Sequence, residues 1–236
     1  MIEISRIEIS GLANALYGMR LPKNSNNLSD TKCLVYNESF NNAVEIPLNL
    51  IYNHKVIKVM IGEKDKKLAK NLVMAGSDHG KWLRQVQLSF LLKAPMTVWW
   101  DIDTYKVATV KNSTSRMHKI TSRPLEFEDF SFDNTKDENM ITPFRKVMIE
   151  HINLLIQQYN LCDDIIAKEN IFRELLQDLP QGFNFTSTYT CSAQTARAFY
   201  FARKNHKQKE LRDLAKFFSS LPEIGEFITA GEENEK

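Results

Sequence analysis

Residues 94–117 read APMTVWWDIDTYKVATVKNSTSRM. The stretch before them, QVQLSFLLK at 85–93, alternates apolar and polar residues and then becomes wholly apolar. That pattern predicts a strand buried at one end. Pro95 fixes its own φ and lacks an N–H, so it is suited to open the next element, through Tyr105 or further. Trp99 and Trp100 suit a core or a subunit interface, where a ring can also stack on a ligand. Asp101 and Asp103 form an isolated DxD pair. Without partnering ligands it predicts surface acids and no metal site.

Outward from this stretch the chain alternates strands and helices. Ile2, Ile4, Ile7 and Ile9 sit among polar neighbours, which predicts a strand over residues 1–9. PKNSNNLSDT at 22–31 is turn and loop chemistry. KVIKVMI at 55–61 predicts a second strand. A helix is predicted from Glu63 to Met74, with acids in its first turn and Gly76 just past its end. Ser77 and Asp78 are placed to cap a short helix running through Trp82. Toward the C-terminus, residues 122–139 predict a long surface loop, folded down by Phe127, Phe130 and Phe132. An amphipathic helix follows over 141–159, with Met148, Ile152, Leu155 and Ile156 on one face. A second covers roughly 163–178, stopped by Pro180 and Gly182. FNFTSTYT at 183–190 predicts a strand. Helices are predicted at about 193–206 and 207–219, with a short one after Pro222. The expected fold class is α/β in the mixed α+β sense: one domain over residues 1–230, then a frayed acidic tail at 231–236.

Composition excludes several classes of function. The chain has 236 residues, 43% hydrophobic and 25% charged, with a formal net charge of +2. That balance gives no bulk argument for nucleic acid or an acidic membrane surface. No apolar run is long enough to span a bilayer. MIEISRIEIS lacks the basic start and apolar block of a secretory signal. Cys33, Cys162 and Cys191 are odd in number and far apart, which disfavours a disulfide framework or zinc site and fits a reducing cytoplasm. The five histidines are scattered, no HExxH or GxxxxGK[ST] occurs, and eight glycines leave little for phosphate-cradling loops.

Residues 94–117 resemble the signature region of flavin-dependent thymidylate synthases, in which an Ala-Pro follows a buried strand. In that family a signature RHRxxSxNExSxRY begins ten residues after the Ala; here TYKVATVKNSTSRM begins at Thr104, ten after Ala94. Lys106 stands at the second Arg, Thr109 and Thr114 at the two serines, and Arg116 at the last Arg. Thr104 and Tyr105 replace the first Arg and the His, Lys111 and Asn112 the Asn and Glu. Asp101 occupies the place of a Gln three residues before the signature. His79 precedes Ala94 by fifteen residues, the family's spacing for a histidine. A second block, LPQGFNFTSTYTCSAQTARAFYFAR at 179–203, resembles the family's late strand and helix. There Ser192, Gln194 and Ala198 fall where the family has flavin-facing residues, and Arg203 closes the block. Leu176 stands where the family has a nucleotide-contacting Arg.

This resemblance implies a homotetramer that binds a pyrimidine nucleotide such as dUMP, and reductive methylation of dUMP to dTMP with FAD. It implies Arg116, Arg203, Thr114, Ser115 and Asp101 as nucleotide-binding residues, and His79, Lys106, Tyr105 and Ser192 as cofactor-binding ones. A guanidinium pair suits phosphate because its planar donor fork matches the oxygens; Lys106 keeps the charge of an Arg but not the fork. The chain is also similar to phage-encoded relatives, which places it in a host cytoplasm. A second reading is a nucleotide-binding or structural oligomer that has lost flavin chemistry. A third is a nucleic-acid-binding module using the basic cluster from Arg197 to Arg212, where Phe199, Tyr200 and Phe201 are interleaved. Against the third, these aromatics follow helical spacing toward a core, so nucleic acid is not the expected partner.

Overall fold

The computed structural model describes residues 2–37, 42–51, 55–115, 119–132 and 142–232. The chain forms two compact units, one from Met1–Ser5, Leu91–Thr104 and Lys111–Tyr189, the other from Arg6–Phe90, Tyr105–Val110 and Thr190–Lys236. Its elements are β1 (Glu3–Ser10), α1 (Leu12–Arg20), β2 (Lys32–Asn37), β3 (Asn42–Pro47), β4 (Val56–Met60), α2 (Glu63–Met74), β5 (Gln87–Pro95), α3 (Met96–Ile102) and β6 (Val110–Ser113), followed by α4 (Thr142–Leu161), α5 (Ile165–Asp178), β7 (Asn184–Ser192), α6 (Ala193–Arg203), α7 (Lys209–Ser219) and α8 (Gly225–Ile228). One sheet has the order β1-β5-β7-β6 and another the order β3-β2-β4. The class is mixed α/β, as the alternation of strand and helix patterns predicts.

In the first unit, β5 and β7 carry the pattern that positions everything else. Along β5, Leu92 and Ala94 point inward; along β7, Ser187 and Tyr189 do. Residue α4 Ile152 is fully buried, and with Leu155 and Ile156 it packs against Leu175 and Leu179 and against Ile120, Leu125 and Phe130. The interdigitated apolar faces of α4 and α5 are the core that the period-3.6 spacing of α4 predicts. The aromatics of the 122–132 segment fold down as expected: Phe130 stacks on Phe132 at 5.0 Å and meets Phe183 edge-on, and Phe130 and Phe183 form an antiparallel bridge. Residues 133–139 of the predicted loop lie outside the described residues.

In the second unit, β2 pairs antiparallel with both β3 and β4, with Cys33 opposite Ile46 and Val59. Neither β2 nor β3 was expected from the sequence; their six-residue spans are short and β3 is mostly exposed, so burial leaves little periodic trace. Helix α1 is also new. It contains Gly18, and no side chain caps its N-terminus. It starts from Gly11 at φ 79°, where a Cβ would lie 2.3 Å from the Gln85 carbonyl oxygen, so only glycine fits. Helix α2 begins and ends at the residues predicted. The expected short helix through Trp82 is a 3-10 turn, Gly80–Arg84, preceded by His79 with no side-chain cap. Ser77 and Asp78 therefore do not serve as its cap. Among the described residues no helix is long and apolar enough to cross a membrane.

Asp65 sits in the first turn of α2 but is fully buried. Its carboxylate accepts the Nε–H of Arg20, itself 6% exposed, and the hydroxyls of Ser29 and Thr31 at 2.6 and 2.5 Å. The helix terminus is served instead by Asp30, which accepts from the N–H groups of Lys64 and Asp65. Desolvation works against the Asp30 carboxylate, but these backbone donors hold its pKa below the ordinary value. Removing Asp65 strands a buried guanidinium, the arrangement whose loss costs about 3–5 kcal/mol. Asp65→Ala is expected to lower the urea midpoint accordingly, and a midpoint like that of the wild type would show the pair to be dispensable.

The three cysteines are free. Burial pushes the Cys33 thiol up to about 11, with Glu223 adding to it, and burial pushes Cys191 up to about 12. Thiols held protonated are poor nucleophiles. Native protein treated with iodoacetamide at about pH 8 is expected to be labelled at the partly exposed Cys162 alone, with Cys33 and Cys191 reacting only after denaturation. Peptide mass spectrometry reads the outcome directly.

Candidate functional site

The site is best built from Trp99. Helix α3 starts directly after Pro95, with the Met96 N–H donating to the Gln181 carbonyl. One turn on, the Trp99 indole N–H is shared between the carbonyls of Ala94 at 3.1 Å and Phe185 at 3.3 Å. This buried donor therefore fixes α3 against both β5 and β7. Trp100, next in sequence, is 52% exposed. The two tryptophans, alike in the sequence, thus differ in burial.

Strand β6 is polar and exposed along its whole length, so only its pairing reveals it. Its line continues into Thr114, whose N–H donates to the Thr186 carbonyl at 3.0 Å. Thr114 and Ser115 thereby stand beside β7, and with Phe185 they form the common wall of two cavities in the first unit. The first, about 280 Å³, is lined on its polar side by Lys119, Ser122, Arg123 and Asn184. Asp129 also lines it and takes a two-pronged pair from Arg123, at 2.8 and 2.6 Å. Partial burial works against the Asp129 carboxylate, but Arg123, the Glu126 N–H and Lys93 together hold its pKa below the ordinary value. Asp129 neutralises Arg123, so Lys119 carries the excess positive charge among the described lining residues. The second cavity, about 320 Å³, is walled by Met96, Trp99, Trp100, Leu176 and Phe185. Its charged lining residues Lys111 and Asp103 pair with each other at 2.6 and 2.7 Å.

Ser187 also lines the second cavity. Strand alternation turns it to the inward face beside Tyr189, and it is 1% exposed. Its hydroxyl finds no hydrogen-bond partner among the described residues. A buried hydroxyl left in that state costs about 1–3 kcal/mol. Sequence reading took FNFTSTYT as a strand and passed over this residue; the signal available was a serine at an inward position of an otherwise apolar face.

The structure brings some of the expected site residues together and separates others. Thr114 and Ser115 share the cavity wall. Asp101 belongs to the same unit, half-buried on α3, and its backbone carbonyl accepts from the Thr104 hydroxyl. Arg116 lies outside the described residues. Arg203, the last residue of α6, belongs to the second unit and is half-buried. Tyr105, Lys106, His79 and Ser192 also belong to the second unit. Two of these engage α6: Ser192 caps the helix by accepting the Thr195 N–H, and the Tyr105 ring packs on Phe199 at 5.2 Å, while Thr195 Oγ1 donates to the Val107 carbonyl. Lys106 is exposed in that segment, and His79 is exposed in the turn before Gly80.

The basic cluster is largely spent inside its own unit. Arg197 donates to the Ile228 carbonyl at 2.8 Å and lies over Phe201, Lys209 pairs with Asp213, and Arg212 donates to the carbonyls of His206 and Lys207. Phe199 and Tyr200 are buried. This is a helix built for its core, which weakens the nucleic-acid reading. One group with metal-ligand chemistry also occurs among the described residues: His151, Glu174 and Asp178 on α4 and α5, with ligand atoms within 4.8 Å of one another. All three are exposed, and His151 already pairs with Asp178 at 2.7 Å.

No family model matches the chain, and no curated protein matches it in sequence. Solved structures do. The flavin-dependent thymidylate synthase ThyX from Helicobacter pylori, complexed with FAD and dUMP, matches with a TM-score of 0.67 at 17% identity, over 99% of this chain and 100% of that one. A second structure of ThyX from the same organism, with FAD and dUMP, matches with a TM-score of 0.66 at 15% identity, over 97% of each chain. The UMP/dUMP methylase PolB from Streptomyces cacaoi, bound with 5-Br dUMP, matches with a TM-score of 0.56 at 15% identity, over 93% of this chain and 88% of that one. The chain thus has the mixed α/β fold of the flavin-dependent thymidylate synthases.

Proposed function

We propose that this protein binds a pyrimidine nucleotide, dUMP or a close relative, in the cleft formed by the two cavities of its first unit, and that in its catalytic form it methylates dUMP reductively with FAD. The observation that carries the reading is the position of Thr114 and Ser115. The resemblance assigns both to the nucleotide, and both line each cavity of a cleft that has a cationic end and an aromatic end. The fold shared with proteins solved with dUMP or 5-Br dUMP supports the same ligand class. Phosphate favours the end with Lys119, where hydroxyls at Thr114 and Ser115 add uncharged donors. The resemblance assigns Arg116 and Arg203 to the nucleotide as well.

FAD enters through the second unit. Lys106 supplies a cation suited to a pyrophosphate, and its neighbour Tyr105 and Ser192 both engage α6, at Phe199 and at Thr195. The chemistry FAD supplies when bound is a hydride. A specific observation favours the non-catalytic alternative: the Ser192 hydroxyl is already used as a helix cap and the Tyr105 ring is already packed on Phe199, which leaves Lys106 and His79 as the uncommitted cofactor candidates. The protein that has kept the nucleotide and lost the flavin is the second reading.

The family's homotetramer is part of the proposal. Helix α4 leaves Phe144, Val147, Leu154 and Leu161 exposed along one side, at 51–74% each. An apolar row of this kind is what a subunit interface covers.

Purified protein distinguishes the readings. Flavin absorbance in the isolated protein supports the enzyme; a colourless protein stabilised by dUMP supports the binder. At about a hundred times its Kd, dUMP stabilises the folded state by about 2.7 kcal/mol, a rise in Tm of roughly 5–10 °C for a chain of this size. Arg203→Ala is expected to abolish that rise and to keep the wild-type circular dichroism; an undiminished rise removes Arg203 from the site. For the assembly, light scattering of the Val147→Glu, Leu154→Glu double variant is expected to report a smaller species than the wild type. An unchanged mass places the interface elsewhere.

A further inference from the structure

The two ends of the cleft differ in chemistry, and the difference orients a ligand. In the 280 Å³ cavity the pairing of Arg123 with Asp129 leaves the positive charge of Lys119 in excess among the described lining residues. In the 320 Å³ cavity Lys111 and Asp103 cancel. What remains there is a neutral, half-open cavity with an aromatic side made by Trp99, Trp100 and Phe185, a hydroxyl side made by Ser113, Thr114 and Ser115, and one orphaned polar atom among the described residues, the Ser187 hydroxyl at its buried side. Trp99 cannot swing, because its N–H is committed to two carbonyls. Trp100 is exposed and offers an indole face. A flat, uncharged ring with hydrogen-bonding groups on its edge satisfies these features at once: a face to stack against the indole, and edge groups for the lining hydroxyls, Ser187 among them.

Building on the nucleotide reading above, we propose that the 320 Å³ cavity is the base subsite, where Trp100 and Phe185 hold the pyrimidine ring and the Ser187 hydroxyl reads its polar edge. The sugar crosses at Thr114 and Ser115, which both cavities share, and the phosphate lies toward Lys119. Ser187 is then a specificity-determining residue. Its missing partner in the protein is the ligand's own donor or acceptor, and the strain of an unsatisfied group in the free protein is relieved on binding.

Calorimetric titration of the full chain with dUMP, deoxyuridine and 2-deoxyribose 5-phosphate tests this. Ser187→Ala removes the orphaned hydroxyl, so the free variant is expected to melt at or above the wild-type temperature. Its affinity for dUMP and for deoxyuridine is expected to fall roughly five- to tenfold, the worth of one neutral hydrogen bond, with 2-deoxyribose 5-phosphate unaffected. Trp100→Leu is expected to weaken the same two ligands and to remove the fluorescence quenching that they cause in the wild type. If both variants bind dUMP as the wild type does, or if all three ligands weaken equally, the base subsite is overturned and the nucleotide reading stands. If the wild type binds neither dUMP nor deoxyuridine, both fall together.

Discussion

A single indole N–H holds the candidate site in shape. Trp99 shares its donor between the carbonyls of Ala94 and Phe185, and so joins the end of one strand, the start of the helix that follows it, and the neighbouring strand. Each of these carbonyls belongs to backbone that would otherwise have to find another partner. Because Trp99 is buried to 4% exposure, water does not compete for its donor. The aromatic end of the cleft exists because this tie fixes Trp99 as a wall, with the exposed Trp100 lining the same cavity beside it. Without it α3, only seven residues long, has little of its own to keep it in place.

Two buried polar arrangements show how differently the chain treats such groups. Asp65 is surrounded by Arg20, Ser29 and Thr31, so both of its oxygens are engaged. That network is complete and reads as architecture. Ser187 has no such set of partners among the described residues, although it is about as deeply buried. Folding alone gives no reason to keep a hydroxyl there; an apolar residue of similar size would satisfy the strand's inward face at lower cost. A group that is costly in the free protein and useful to a ligand is the sort of local conflict that binding sites retain.

Two of the four residues that the resemblance assigns to the flavin already have structural roles. Ser192 closes the first turn of α6 and Tyr105 packs on Phe199, both roles that any stable version of this fold can use. Thr114, Ser115 and Lys119, by contrast, line a cavity.

Much of the framework was legible in the sequence because it rests on local chemistry and period. Helix α2 was readable from its first-turn acids and the glycine beyond its end, α4 from the spacing of Ile152, Leu155 and Ile156, and β5 from alternation ending in a proline. The ordered spacing from His79 through Ala94 to Thr114 was enough to reach the fold that the solved structures share. Strands β2, β3 and β6 were not legible, since β6 is exposed throughout and none of its residues records the neighbour that makes it a strand. Only the tertiary structure could decide that Asp65 serves Arg20 rather than its own helix terminus, that Trp99 is buried and Trp100 exposed, and that Ser187 faces inward without a partner among the described residues. Periodicity says which side of an element is buried, but the identity of the atoms met there depends on residues far away in the chain.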